Sequence, residues 1–494
     1  MGLFPLVAMV ITGLVGAVTV WNWRYGLLCI IGIGVLQDVL RKLTPGVPAY
    51  FILWSMAVFG MVAIVALTQG AVKGLKPLWM QDRFLKGAFI LFAAVILIHS
   101  VHSLVRWGSL ALPVFGLIFY LGPFVALVVV IAYAREPRWI DRFLRVYLVI
   151  MVPVCLTIYL SKLTNNSVPV LQEVGAFVGR ELIIYDQGTI LYSYSGLLRV
   201  GEIAAFHCAV CIGFLSIYLL QKKSLAKKVL YAVLIALLFG AIVLTGRRKM
   251  IVALSIFWGL QFFLLTFFRR GFSKQFVIAG IAALIVVGGV GMMDSGSSGL
   301  YLARGASVFG AVEHRVDQSL KLFSSALNRS EWIGLGAGTA SLGMRYSAAA
   351  FDRRLVGGSA ESGVGYIAVE LGIFGVVTAI WLLINLARAV KNRLSFVSRV
   401  DNERVVYAVS FAAFLLANIM TFMTATQLYG DYFVLIILGV IAGMFYASLS
   451  HAERKSKTIA AYYLWKKRQI GQFSNETPTN PHNRSNSSFG TQSS

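Results

Sequence analysis

Long apolar stretches separated by short polar segments recur along nearly the whole chain. A bilayer core of about 30 Å is crossed by a helix of about 20 apolar residues, and shorter stretches also reach across when the helix ends lie at the interface. Thirteen stretches are candidates, at residues 3–20, 25–40, 50–68, 87–104, 110–132, 143–160, 203–220, 229–244, 251–268, 276–292, 364–389, 405–426 and 432–449. The second is the weakest because Gln37 and Asp38 interrupt it. The pattern predicts an all-α fold, a polytopic membrane bundle of 12 or 13 transmembrane helices.

Two polar segments are much longer than the others, at residues 161–202 and 294–363. Loops of this length are uncommon unless they are functional. The second lies between the tenth and eleventh predicted spans. We expect one transmembrane domain, residues 1–450, that includes both loops, followed by a tail, residues 451–494, that is first basic and then disordered.

Composition supports a membrane protein and narrows its partners. Hydrophobic residues make up 58% of the 494 positions and charged residues 13%, whereas about a quarter of a soluble protein is charged. The net charge of +24 is spread over many turns, which argues against nucleic acid and favours anionic membrane lipids as partners. His207, Cys208 and Cys211 lack an evident fourth ligand, so no metal site is predicted.

The distribution of Lys and Arg predicts the topology. If the N-terminus is outside, 28 of the 44 Lys and Arg residues lie on the cytoplasmic side with the tail, and most of the others lie in the two long loops. The main exception is the cluster Arg247-Arg248-Lys249, in a short segment on the outer side. The predicted span before it, 229–244, is about 24 Å long, which would hold the cluster near the membrane interface.

This exception suggests an anion-binding site. Guanidinium groups bind phosphate oxygens through paired, charge-assisted hydrogen bonds, so Arg247 and Arg248 are candidates for binding a lipid-linked diphosphate. The alternative is that the cluster only terminates two helices and contacts lipid phosphates. Arg199 and Glu202, at the start of the seventh span, form either a polar edge that faces a ligand or a simple ion pair.

Candidate residues in the second long loop are a charged group and a glycine-rich turn. His314 is a candidate base and Arg315 a further cation for an anion, although a solvated helix face is an equally good interpretation. Gly334, Gly336 and Gly338 alternate in a turn whose amides could approach phosphate or sugar oxygens.

Three motifs then follow in order, and two further segments accompany them earlier in the chain. They are Trp332-Ile-Gly-Leu-Gly-Ala-Gly338, Glu361-Ser-Gly-Val-Gly-Tyr366, Glu370-Leu-Gly-Ile-Phe-Gly375, Gln37-Asp-Val-Leu-Arg-Lys-Leu-Thr-Pro45 and Thr245-Gly-Arg-Arg248. Together with the late large loop, this arrangement resembles the bacterial O-antigen polymerase and O-antigen ligase superfamily. The resemblance implies a type C glycosyltransferase-like enzyme of the inner membrane, which transfers a glycan from undecaprenyl diphosphate to an acceptor hydroxyl at the periplasmic face.

The resemblance also implies residue roles. The essential periplasmic arginine of the family corresponds to Arg247 or Arg248, and its loop arginine to Arg315. Ligases commonly have a His-Asn pair before the acidic-Gly span, but this chain has Ala360-Glu361-Ser362, which favours a polymerase over a ligase. Glu361 is then the first candidate for the general base and His314 the second, and no metal or other cofactor is required.

The expected partners are the undecaprenyl-diphosphate-linked glycan and other polysaccharide assembly proteins. A ligase that uses a lipid acceptor is the nearest alternative. A flippase or transporter of lipid-linked oligosaccharides is the alternative from another class, but it would be expected to place charges midway along its spans and to show a repeat.

Overall fold

A computed structural model describes residues 3–75, 82–176, 183–186, 189–221, 224–269, 300–301, 321, 323–341, 362–424 and 426–475. Within these residues there are twelve long α-helices and one β-hairpin. The helices are α1 (Leu3–Trp21), α2 (Trp23–Leu43), α3 (Trp54–Thr68), α4 (Arg83–Trp107), α5 (Ala111–Tyr133), α6 (Pro137–Leu163), α7 (Gly201–Leu219), α8 (Leu225–Leu244), α9 (Arg248–Phe268), α10 (Gly363–Val400), α11 (Asn402–Thr424) and α12 (Tyr432–Asn475).

Short elements lie between the helices. A 3-10 turn, Ala49–Leu53, leads into α3, and two others occupy Pro169–Leu171 and Gln427–Gly430. The strands β1 (Ile183–Asp186) and β2 (Thr189–Tyr192) pair antiparallel inside the first long loop. The hairpin is an addition to the predicted all-α fold, and the loop around it connects α6 to α7.

Eleven helices in the described part of the chain are long and apolar enough to cross a membrane, when α3 is taken together with the 3-10 turn before it as Ala49–Thr68. The twelfth, α2, runs between the same two ends of the bundle but contains Gln37, Asp38 and Lys42, all of which are buried. The predicted multi-pass helical membrane bundle is therefore confirmed. The tenth predicted span, residues 276–292, lies outside the described residues.

Helix boundaries follow from local capping chemistry. The Asp82 carboxylate accepts hydrogen bonds of 3.0 Å from the amides of Phe84 and Leu85 at the start of α4, and Gly108, with φ of 62°, ends that helix. The Ser362 hydroxyl accepts a bond from the amide of Gly365 and so fixes the start of α10. These residues fix both ends of α4 and the start of α10.

The helices differ in how much of their surface faces the surroundings. Nearly every residue of α7 is buried, so this helix lies at the centre of the bundle. In contrast, α1 exposes Leu3, Leu6, Val10 and Leu14 and lies at the periphery. Exposed apolar side chains of this kind fit a lipid environment.

Two helices are longer than a bilayer crossing requires. The 38-residue α10 contains a break at Gly372, whose φ of 61° and ψ of −158° are not helical. The 44-residue α12 continues without interruption across residue 450, the predicted boundary between membrane domain and tail. Residues 476–494, the part of the tail expected to be disordered, lie outside the described residues.

Candidate functional site

Eight charged side chains from separate parts of the chain meet at one end of the bundle. We call them the charge cluster and call this end the cluster end. The members are Asp38, Lys42, Glu173, Arg199, Glu202, Arg247, Lys249 and Asp431. They come from α2, the α6–α7 loop, α7, the α8–α9 junction, α9 and the start of α12. Because the four acids balance the four bases and most of the group is buried, its internal pairing decides what else it can bind.

Lys42 and Asp38 fix the backbone that leads into α7. The Lys42 ammonium donates to the carbonyls of Gly196 and Leu198, both at 2.7 Å, and to that of Val170 at 3.2 Å. Asp38, one helical turn earlier, accepts a 3.0 Å bond from the amide of Arg199. A buried lysine with three acceptors satisfies its hydrogen-bonding capacity, so this pair has a structural function.

Arg199 joins the loop to α12. Its Nη2 lies 2.5 Å from the Asp431 carboxylate, whose other oxygen accepts a 3.0 Å bond from the amide of Val434 at the start of the helix. Arg199 and Glu202, considered as a pair in the sequence, therefore have different partners. The Arg199 Nη1 is buried without a hydrogen-bond acceptor among the described residues.

Arg247 lies between two acids. Its Nη1 is 2.9 Å from the Glu202 carboxylate, which is also 3.6 Å from the Lys249 ammonium, and its Nη2 is 3.9 Å from Oε1 of Glu173. The Nε and Nη2 atoms form the other edge of the guanidinium, and both are buried without a hydrogen bond within the described part of the chain. This edge is the one that binds two oxygens of a carboxylate or phosphate side by side.

Glu173 is held from one side only. Its Oε1 accepts bonds from the Ser193 hydroxyl at 2.7 Å and the Gly201 amide at 2.6 Å, whereas the buried Oε2 has no partner among the described residues. Burial raises the pKa of this carboxyl from 4.5 to about 7, against the lowering effect of Arg247 and the two hydrogen bonds. Glu173 thus titrates near neutral pH.

The prediction that a short preceding helix holds Arg247 near the membrane interface is wrong. The preceding helix was predicted to be short, residues 229–244, but α8 begins at Leu225 and has 20 residues, about 30 Å. Lys227 and Lys228 lie in its first turn, and a prediction from hydropathy alone leaves this turn out of the helix. Arg247 is held by its contacts with Glu202 and Glu173, not by a short helix.

The glycine-rich turn, residues 333–339, packs against the break in α10. Because the helix is interrupted at Gly372, the carbonyls of Val369 and Glu370 accept bonds from the turn amides of Leu335 and Gly336, at 2.7 and 3.0 Å. In the reverse direction, the amide of Ile373 donates to the carbonyl of Trp332. Non-helical backbone at membrane depth is stable only when protein groups satisfy it in this way.

The backbone at and after the turn also binds an acidic side chain of α10. The Glu370 carboxylate is fully buried and accepts bonds from the amides of Ala340 at 2.8 Å and Ser341 at 2.6 Å, with a further one from the amide of Gly338. Gly336 and Gly338 therefore have packing and hydrogen-bonding functions within the protein. Their predicted contact with a glycan or diphosphate stays a prediction.

Glu361, His314 and Arg315 lie outside the described residues. Arg248 is the first residue of α9 and is half-buried beside Arg247. His207 lies in α7, where its Nδ1 is 2.7 Å from the Tyr147 hydroxyl. The residues that can be described include no group of three or more His, Cys, Asp or Glu arranged for a metal.

Sequence reasoning missed Glu173 and Asp431 and did not recognise that Asp38 and Lys42 belong to the same cluster. Asp38 and Lys42 did give a signal, because polar residues in an otherwise apolar helix require buried partners. Asp431 directly precedes a span, a position typical of a helix cap. Glu173 had no such signal, since nothing in a long loop distinguishes a buried acid from an exposed one.

No protein-family model matches this chain, and no curated protein matches it either.

Proposed function

We propose that this chain is a polymerase of a cell-surface polysaccharide, such as an O-antigen, capsule or exopolysaccharide, and that it uses a glycan linked to undecaprenyl diphosphate. The observation that supports this most directly is the Nε and Nη2 edge of Arg247 inside the charge cluster, which has no hydrogen-bond acceptor among the described residues. A phosphate group of the donor would accept both hydrogen bonds. The order of the glycine and acidic motifs supplies the type C glycosyltransferase-like assignment.

The proposed reaction is a displacement at the anomeric carbon. The acceptor hydroxyl oxygen forms a bond to this carbon while the bond to the diphosphate oxygen breaks, and the bonding electrons remain on the diphosphate. Cations that neutralise this developing charge lower the barrier. The proton of the acceptor hydroxyl passes to a base, for which Glu361 is our first candidate and His314 our second.

The other cations have secondary roles in this proposal. Arg199, held by Asp431, would donate from its buried Nη1, and Arg248 and Arg315 would add positive charge around the diphosphate. Arginine suits this task because it stays protonated at all working pH values.

We propose that the cluster end faces the periplasm and that the protein lies in the bacterial inner membrane. Ion pairs such as Arg24–Glu136 and Lys455–Asp401 lie at the opposite end, where most of the short basic segments also converge. By the positive-inside rule this opposite end is cytoplasmic. Anionic lipid head groups there are the proposed partners of its exposed cations.

The test is chain-length analysis by gel after purified protein is incubated with the native undecaprenyl-diphosphate repeat unit. Wild-type protein should give a ladder of polymer, and the double variant Arg247→Ala, Arg248→Ala should give none. Arg138→Ala is the matched control, because Arg138 is 76% exposed at the opposite end and pairs with Glu136 at 2.6 Å. A ladder from the double variant contradicts the assignment, and transfer to a lipid acceptor without a ladder identifies a ligase.

A further inference from the structure

Glu173 has an asymmetric environment that the proposed displacement does not yet use. Its Oε1 accepts two hydrogen bonds, from Ser193 and from the amide of Gly201. A carboxylate oxygen that accepts two bonds is a poor place for a proton, so a proton on this side chain belongs on Oε2. Oε2 is buried and has no partner within the described residues. A neutral Glu173 would therefore present an O–H donor that has no acceptor among the residues that the structure describes.

Arg247 has two further buried donors, Nε and Nη2, that lack a hydrogen bond among the described residues. Oε1 of Glu173 is 3.9 Å from Nη2 of Arg247, so Oε2 lies within about 6 Å of that nitrogen. One phosphate group, with hydrogen bonds of about 2.8 Å to each side, spans such a gap. The donors Nε, Nη2 and Oε2–H are thus close enough together for one phosphate group to accept hydrogen bonds from both side chains.

The charge balance explains why Glu173 should be neutral when this position is filled. Among the described residues, the charged groups that act on Glu173 are Arg247, Glu202 and Lys42, from the α8–α9 junction, α7 and α2. Arg247 and Lys42 are already matched by Glu202 and Asp38. A bound diphosphate adds negative charge next to Glu173, which favours the uncharged acid further.

We infer that Glu173 is a further catalytic residue: in its protonated form it donates a hydrogen bond from Oε2 to the diphosphate that Arg247 binds. The inference rests on the proposed function. In the displacement the proton stays on Glu173, and the shortened hydrogen bond stabilises the electron pair that arrives on the leaving diphosphate. Diphosphate binding is then accompanied by uptake of one proton.

The sign of the pH dependence follows from this uptake. Free Glu173 has a pKa of about 7 and bound Glu173 a higher one. Above the free value, the wild-type protein must acquire a proton to bind, so its affinity falls by about tenfold per pH unit. Glu173→Gln has an amide oxygen in place of Oε1 and an N–H donor in place of Oε2, so it imitates the protonated form at every pH.

The experiment measures binding of inorganic pyrophosphate to the full-length protein in detergent between about pH 6 and pH 9. Pyrophosphate itself titrates in this range, but its titration affects both proteins equally. It therefore cancels in the ratio of wild-type to Glu173→Gln affinity. We expect similar affinities at the acidic end and a growing advantage of Glu173→Gln above pH 7, about tenfold per unit. Glu136→Gln, at the opposite end of the bundle, should behave as wild type. A constant ratio, or weaker binding by Glu173→Gln at the acidic end, overturns the inference.

A second measurement needs no variant that might misfold. Difference infrared spectra of the wild-type protein at about pH 8 should show a new carboxylic-acid carbonyl band when pyrophosphate is added. Binding without this band overturns the role of Glu173 and leaves the proposed function intact. Failure of the wild-type protein to bind pyrophosphate contradicts the proposed function, and the inference about Glu173 falls with it.

Discussion

At the scale of single residues, the most informative side chain is one that is only partly satisfied. Arg247 has an acid on one edge, Glu202, and no hydrogen bond to any described residue on the other. Leaving buried N–H groups without acceptors costs about 1–3 kcal/mol each. Such a cost is expected at binding sites, where the ligand supplies the acceptor.

Arg247→Lys tests the geometry of this edge separately from its charge. Lysine keeps a cation near Glu202 but cannot present two parallel donors. We expect the affinity for pyrophosphate to fall by about 1.5–3 kcal/mol, or roughly 10- to 150-fold, measured by calorimetry. Arg138→Lys is the control. Unchanged affinity in Arg247→Lys would mean that charge alone explains any binding.

Lys42→Met tests the structural half of the charge cluster. The substitution leaves three carbonyl groups without their donor and removes one of the cations that act on Asp38, which should cost about 3–5 kcal/mol of unfolding free energy. Faster hydrogen exchange should appear first in the loop residues next to Val170, Gly196 and Leu198, whose carbonyls Lys42 binds. Lys391, which is exposed, provides the control Lys391→Met. Equal exchange in both variants would contradict this function of Lys42.

At the scale of elements, the glycine-rich turn and α10 depend on each other. The turn places backbone where side chains would collide: an added Cβ on Gly336 would lie 2.6 Å from Cα of Ser103, and one on Gly338 would overlap the carbonyl of Leu112. Their φ values of 106° and 91° exclude most other residues as well. The break in α10 supplies the hydrogen bonds that make this close approach stable.

Gly338→Ala should therefore destabilise the protein by about 3 kcal/mol or more, because strain and collision add. Gly87→Ala is the matched substitution, since Gly87 lies in α4 with nothing near its missing Cβ. Alanine there should stabilise the helix by up to about 1 kcal/mol. Thermal unfolding in detergent measures both effects. Shifts of the same sign would contradict the packing described for the turn.

Most elements could be predicted from sequence, and the exceptions have physical causes. Apolar stretches mark a helix whether or not the surroundings are known, so eleven helices and the polar α2 were anticipated. The first turn of α8 was missed because Lys227 and Lys228 lower its hydropathy, although charged residues at the membrane boundary can still be helical. The hairpin was missed because its eight paired residues are too few for a clear alternating pattern.

At the scale of the whole molecule, each contact between loops or helix ends lies at one of the two ends of the bundle, consistent with the order of the helices. Arg247, Arg199 and Lys42 meet at the cluster end, whereas His451 contacts the carbonyl of Arg135 at the other end. Sequence alone could predict this alternation from the order of spans. It could not predict which loop residues are buried in the bundle. The pairing of acids and bases that are far apart in the chain leaves no signal in the local sequence pattern.

Cysteine labelling can assign the two ends to compartments. Ser167→Cys and Ser224→Cys are nearly isosteric changes at exposed positions, the first at the cluster end and the second at the opposite end. Both would be made in a Cys29→Ser background, because Cys29 is the only partly accessible native cysteine among the four. A maleimide that cannot cross membranes should label only Ser167→Cys in intact spheroplasts. Labelling of Ser224→Cys alone would reverse the proposed orientation.

The close fit of the glycine-rich turn has a consequence for evolutionary change. Lipid-facing positions of the helices can exchange one apolar residue for another over long divergence, and their similarity is soon lost. Gly334, Gly336, Gly338 and Gly372 have no such freedom, because each lies in a left-handed conformation against neighbouring backbone or side-chain atoms. Distant relatives should therefore retain three alternating glycines and a fourth glycine some thirty residues later. They should also retain an acidic residue two positions before this fourth glycine, because amides at and after the turn bind its carboxylate.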